Sequence, residues 1–208
     1  MPPSVTVLFQ GDSITEASRY YTLDDNLGTG YVMMAANWFS AEYPEKKIRF
    51  LNRGVAGDKI RDMKNRWKKD CLNLEPDVVS ILIGINDTVG GHFWKSPTST
   101  KSFEEDYRTL LEQTHDILGA KIVLLTPFMV YLTKRQLIYK IILKQKIDVV
   151  KKMSKEFETH LVPLDKIFEA ATRKGEPIHW SADGIHPTAM GHSLIAQSWL
   201  KTTSGILT

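Results

Sequence analysis

Val5-Thr6-Val7-Leu8-Phe9-Gln10-Gly11-Asp12-Ser13-Ile14-Thr15-Glu16 is an apolar run that stops at a polar heptapeptide carrying a small nucleophile. The run is too short for a helix, rich in β-branched and aromatic residues, and almost without polar interruption. Such a segment reads as a central parallel strand buried on both faces. Ligands of open α/β sheets bind at the carboxyl ends of such strands, which is where Ser13 falls. A serine hydroxyl alone is a weak nucleophile. The functional reading therefore requires a histidine base, a carboxylate to orient it and donors for an oxyanion. Taken by itself, the heptapeptide reads first as an Asp/Ser turn capping a helix, and it is the rest of the chain that reverses this.

Working outward, the same kind of segment recurs. Ile48 to Asn52, Asp77 to Ile83, Lys121 to Thr126 and His160 to Leu164 read as four further strands. Amphipathic stretches separate them. Tyr31 to Tyr43 carries Val32, Ala35, Ala36 and Phe39 at helical spacing and stops at Pro44. A helix with the stripe Ile60, Met63, Trp67, Cys71 and Leu74 has Asp58 placed as its cap. Ser102-Phe103-Glu104-Glu105 fits a capping box opening a helix that Gly119 closes. Thr133 to Phe157 presents Ile138, Ile141, Ile142, Val149, Val150 and Met153 opposite a lysine-rich solvated face. Lys166 to Thr172 is a short helix, and Pro187 stands at the first position of a last helix running through Ile195 and Trp199. Strands alternating with helices predict an α/β domain: a five-stranded parallel sheet with helices on both faces and right-handed crossovers. With 208 residues and no linker or repeat, residues 1–208 form one domain.

Composition narrows the function. A charged share of 25% and a formal charge of +3, with lysines interspersed among apolar residues, describe solvated helix faces and not a nucleic-acid surface. No apolar run approaches the roughly 20 residues that span a bilayer, so no membrane partner is expected. The single cysteine, Cys71, excludes an internal disulfide and reads as a core residue. Met1-Pro2-Pro3-Ser4 lacks the basic and apolar regions of a secretion signal, so the expected location is cytoplasmic.

The chemistry-bearing residues fall after strands or just before the last helix. Asp183 and His186 are separated by two residues, close enough for the carboxylate to bond the imidazole and leave its other nitrogen free as a base. The backbone N–H groups of Ser13 and Gly57 and the side-chain amide of Asn86 are candidate oxyanion donors. Asp183, His186 and His179 lack the spacing of a metal-binding helix, and no metal or cofactor is expected. Gly191-His192-Ser193-Leu194-Ile195 imitates a nucleophile elbow but lacks the final glycine and follows the histidine, so Ser193 reads as a helix residue.

Gly11-Asp12-Ser13, Asn52-Arg53-Gly54-Val55-Ala56-Gly57-Asp58, Gly84-Ile85-Asn86-Asp87 and Asp183-Gly184-Ile185-His186-Pro187 resemble the ordered blocks of the SGNH hydrolases, also called GDSL esterases and lipases. The resemblance spans the whole chain and implies a flavodoxin-like three-layer α/β/α sandwich. It also implies Ser13 as nucleophile, His186 as base, Asp183 as its partner, and Ser13, Gly57 and Asn86 as oxyanion donors. Ile14 stands where the family name expects leucine, at a position without a chemical role. Gly11 to Glu16, Leu27-Gly28-Thr29-Gly30-Tyr31 and Asn52 to Gly57 are similar, more narrowly, to bacterial saccharide deacetylases, including acetylxylan esterases. The expected function is hydrolysis of a short acyl ester, acetyl first, of a carbohydrate or similar polar alcohol. The alternatives are a lysophospholipase or thioesterase of the same family, or a non-catalytic carbohydrate-binding relative.

The expected walls of the site are Arg19 to Tyr31, Thr88 to Thr100 and Trp180 to Ala182. Tyr20, Tyr21, Phe93, Trp94 and Trp180 offer flat faces to a sugar, Phe128 joins them as a substrate-binding candidate, and Asp24, Asp25, Asn26 and His92 offer polar groups. The partner is then a small-molecule or oligosaccharide ester, with a homo-oligomer expected from related deacetylases.

Overall fold

The structure is a computed structural model, and it describes residues 5–23, 25–90 and 96–207. Five parallel strands, β1 (Val5–Gly11), β2 (Ile48–Asn52), β3 (Val78–Leu82), β4 (Lys121–Leu125) and β5 (His160–Val162), form one sheet in the order β2-β1-β3-β4-β5. The five strands lie where the sequence predicts them, shifted by one or two residues at some ends. The helices are α1 (Ser13–Glu16), α2 (Tyr31–Glu42), α3 (Ile60–Asp70), α4 (Ile85–Val89), α5 (Thr100–Gln113), α6 (Lys140–Glu156), α7 (Leu164–Ala171) and α8 (Ala189–Leu207).

Strand alternation divides the core into two layers. Val7, Phe9, Val78, Leu82, Val123 and Leu125 face α2, α7 and α8, with Trp199 and Phe168 buried among them. Leu8, Leu51, Val79, Ile81, Ile122 and Leu124 face α3, α5 and the later turns of α6, burying Trp67, Phe103 and Tyr107. Cys71 lies in this second layer, as its spacing predicts. The chain leaves β1 toward β2 and returns across β1 to β3, so the strand order reverses between β1 and β3. That switch point opens a crevice at their carboxyl ends, and Ser13 and Asn86 follow those two strands.

Several local expectations are corrected. Asp58 does not cap α3: Lys59 holds the N-cap position, Asp62 accepts the Lys59 N–H, and the Asp58 carboxylate turns to Arg66. α5 begins at Thr100 and not at Ser102, because Ser99 Oγ caps it by accepting the Ser102 N–H at 3.1 Å. The segment Thr88 to Thr100 is not all loop, since α4 extends to Val89. Lys134–Tyr139 winds as a 3-10 turn ahead of α6, which breaks the helical phase assumed for Thr133 to Phe157. Ile138, in that turn, is 64% exposed, and Ile141, on the face of α6 opposite Val150, is 73% exposed, while Leu143 and Ile147 enter the core. Pro187 precedes α8 by two residues and pairs with Ser181 in an isolated antiparallel bridge. Among the described residues, no helix is long and apolar enough to cross a membrane.

Candidate active site

Ser13 opens α1 directly after β1. Asp12 is its N-cap, with Oδ1 accepting the Ile14 N–H at 3.0 Å. Gly54 permits the tight seating of this turn, since a Cβ there would meet Glu16 N at 2.3 Å. The fully buried Asn52 fastens the same region: Nδ2 donates to the carbonyls of Thr15 and Leu27 at 2.7 and 2.9 Å, and Oδ1 accepts the Gly54 N–H at 2.9 Å.

The segment between Trp180 and Pro187 brings the other two side chains. Asp183 Oδ1 accepts the N–H groups of Ile185 and His186 at 2.8 and 2.7 Å, which folds the segment into a tight turn. Its other oxygen, Oδ2, lies 2.6 Å from His186 Nδ1, and His186 Nε2 lies 3.0 Å from Ser13 Oγ. Serine, imidazole and carboxylate thus form one continuous chain of hydrogen bonds. An ionised carboxylate only accepts, so Nδ1 carries the ring proton and Nε2 is left to accept from the serine hydroxyl. Partial burial pushes the Asp183 carboxyl up, but the His186 ring and the N–H groups of His186 and Ile185 outweigh it and hold the group below its ordinary value.

Three groups that sequence reasoning missed hold this turn. Buried Ser181 donates from Oγ to the His186 carbonyl at 2.7 Å and accepts the Gly184 N–H at 2.9 Å. Gln136 Nε2 donates to the Asp183 carbonyl at 2.7 Å, while its Oε1 accepts the Leu132 and Thr133 N–H groups. The Val130 N–H donates to the Gly184 carbonyl at 2.9 Å. Ser181 belongs to the turn itself, whereas Gln136 and Val130 come from the segment after β4, so nothing in the sequence around Asp183 signals those two.

Gly57 adopts φ +82°, a conformation that favours glycine. Among the described residues, the N–H groups of Gly57 and Ser13 donate to no acceptor. Asn86 Nδ2 donates to the Asp58 carbonyl at 3.1 Å, which fixes the amide and leaves its second hydrogen available. The structure therefore brings the segments bearing Ser13, Gly57 and Asn86 together with the Asp183–His186 turn at the carboxyl edge of the sheet.

The expected wall residues divide. Tyr20 and Tyr21 are exposed, and the Arg19 guanidinium lies 4.3 Å from the Tyr21 ring centroid while donating to the Gly54 carbonyl. Trp180 is half-buried against the core. Asn26 is spent on its own loop, accepting the Tyr20 and Gly28 N–H groups. Phe128 is a correction: it is 1% exposed and stacks on Phe168 with ring centroids 4.0 Å apart, so it is a core residue and not a substrate contact. Asp24, His92, Phe93 and Trp94 lie outside the described residues.

Residues 9–194 match the GDSL-like lipase/acylhydrolase family. The chain belongs to that family. As a GDSL-like acylhydrolase it is a carboxylic ester hydrolase, and Ser193, bonded to the Ala189 carbonyl within α8, is no elbow nucleophile. The chain is 32% identical over 203 residues to an acetylxylan esterase of Geobacillus stearothermophilus, covering 94% of this chain and 92% of that one. A crystal structure of that organism's acetylxylan esterase Axe2 superposes with a TM-score of 0.87 at 31% identity, over 96% of this chain and 94% of the other. A GDSL-like lipase from Parabacteroides merdae gives a TM-score of 0.90 at 33% identity, over 98% and 96%. This GDSL-family chain has the family's fold along its described length.

Two titratable groups near the site, the buried Asp12 and the half-buried His192, predict how stability varies with pH. Burial pushes the Asp12 carboxyl up to about 7, against the Ile14 N–H and with Asp87 adding to the rise. The folded state then keeps a proton that the unfolded chain releases near 3.8. The contribution is greatest below that value and is lost as pH rises toward 7, at about 1.4 kcal/mol per unit. Burial pushes His192 down to about 4, with His186 adding to the fall. The neutral folded ring therefore loses stability as pH falls from 6.5 toward 4. The two trends oppose each other. Asp12→Asn, which keeps the acceptor for Ile14, removes only the first. Its Tm is expected to exceed that of the parent at about pH 8, with the gap closing toward about pH 4; a pH-independent gap would overturn the assignment to Asp12.

Proposed function

We propose that Ser13 attacks the ester carbonyl and forms an acyl-enzyme, with His186 as the base that takes its proton and Asp183 as the group that orients the imidazole. The observation that carries this reading is the unbroken chain Ser13 Oγ, His186 Nε2, His186 Nδ1 and Asp183 Oδ2, at 3.0 and 2.6 Å. The developing oxyanion is received by the N–H groups of Ser13 and Gly57 and by Asn86 Nδ2. His186 returns the proton to the leaving alcohol. Water, activated by the same imidazole, then releases the acid and restores Ser13. Catalytic mutants of the Geobacillus esterase replace a serine and a histidine by alanine, which supports giving these residue types the same work here.

For the substrate we propose acetyl esters of a saccharide. The acetylxylan esterase relative supports this, as do the exposed Tyr20 and Tyr21, whose ring faces suit the apolar side of a sugar. The test compares kcat/KM for acetyl, butyryl and octanoyl nitrophenyl esters with deacetylation of an acetylated xylo-oligosaccharide. Acetyl is expected to lead, with the oligosaccharide turned over. A preference for octanoyl together with inert acetylated sugars would instead assign a lysophospholipase or thioesterase.

A further inference from the structure

Arg66 on α3 joins the segments that carry the proposed oxyanion donors. Its side chain is 15% exposed. Nε donates to Asp58 Oδ2 at 2.7 Å, Nη1 to Gln10 Oε1 at 2.7 Å and to Asp70 Oδ2 at 3.4 Å, and Nη2 to the Gly11 carbonyl at 3.2 Å. Gln10 closes the ring by donating from Nε2 to the Asp70 carbonyl at 2.7 Å. One planar cation thus grips the end of β1 just ahead of Ser13 and the residue that follows Gly57. Asp58 in turn accepts Asn86 Nδ2 on its carbonyl.

Holding α3 in place does not require this arginine, because Ile60, Met63 and Trp67 already bury the helix against the sheet. Compared with apolar residues of similar size, a largely buried ion pair adds little net stability, whereas it does fix geometry. We propose that Arg66 is a positioning residue for the oxyanion site, setting the spacing between the Ser13 and Gly57 N–H groups and the Asn86 amide. The proposal rests on the roles assigned above to Ser13, Gly57 and Asn86. Because the oxyanion exists only as the reaction proceeds, Arg66 acts on turnover and leaves ground-state binding unchanged.

The test is Arg66→Lys, which keeps the charge but cannot reproduce a planar fork with several acceptors. Turnover per active site, counted by fluorophosphonate titration, is expected to fall about 10- to 100-fold with KM within about twofold. The same substitution in an Asn86→Ala background is expected to cost clearly less than in the parent, since one of the three donors it positions is gone. A boronic acid that forms a tetrahedral adduct on Ser13 should weaken in parallel with kcat. A purely structural role would lower Tm and the titratable fraction while kcat per site held, and that result overturns the proposal; an equal cost in both backgrounds does the same. If Arg66→Lys does not fold, Asp58→Ala, which removes the acceptor of Nε and so frees the residue after Gly57 from Arg66, is measured with the same readouts and the same expected outcomes. Activity surviving Ser13→Ala would sink the underlying reading whatever Arg66 does. Activity lost with Ser13→Ala but unchanged per site in Arg66→Lys would sink only the proposal for Arg66.

Discussion

Replacing Ser13 by alanine is expected to lower kcat on nitrophenyl acetate by about a million-fold, and His186→Ala by nearly as much. The two losses should not add. Without Oγ the imidazole has no proton to take, and without the imidazole Oγ stays a neutral hydroxyl, so either change abolishes acylation. What survives is attack by water on an ester still polarised by the oxyanion donors, roughly a thousand-fold or more above the uncatalysed rate. The fold should be indifferent to the serine, because Ser13 Oγ bonds only His186 among the described residues. An unchanged Tm therefore separates lost chemistry from lost structure. Asp183→Ala should be milder in kcat, about ten-thousand-fold. It should nevertheless reduce Tm, because Oδ1 holds the N–H groups of Ile185 and His186. A fluorophosphonate adduct on Ser193, or a Ser13→Ala enzyme within tenfold of the parent, would refute the assignment.

Much of this geometry is legible in the chain because the decisive signals are local. The apolar run from Val5 to Phe9 must be buried on both faces, and Ser13 must then stand at a strand end. Asp183 and His186 lie within one turn of each other, so their contact needs no tertiary information. The partners that hold them are another matter. Gln136 reaches the Asp183 carbonyl and Arg66 reaches Gln10 across long sequence separations, and neither residue type is unusual on a helix surface. Phe128 illustrates the converse. An aromatic residue after a strand reads as a site residue until the packing of Phe168 against it shows which way it faces. Ile138 fails for a backbone reason, since it lies in the 3-10 turn before α6, whereas Ile141 lies in α6 itself, on the face opposite the buried Val150.

Asn86→Ala is expected to reduce kcat by about a hundred- to a thousand-fold, roughly 3 to 4 kcal/mol, with KM little changed. The asymmetry follows from when the interaction is made. The substrate carbonyl is planar and weakly charged, while the tetrahedral intermediate carries a full negative charge on the oxygen that, in the proposed mechanism, the amide receives. The contacts of Asn86 suit the proposed role: one hydrogen of Nδ2 is committed to the Asp58 carbonyl at 3.1 Å, so the amide cannot rotate freely and the other hydrogen has a fixed direction. Asn86→Asp is the sharper control. It keeps the shape but replaces a donor with an acceptor, and an ionised carboxylate would repel both the Asp58 carbonyl and the oxyanion. Its loss at neutral pH should therefore equal or exceed that of alanine, and lowering the pH should recover part of it as the carboxyl becomes a donor. Turnover that held while KM rose would make Asn86 a substrate-positioning residue, and the oxyanion would then rest on the backbone N–H groups of Ser13 and Gly57 alone.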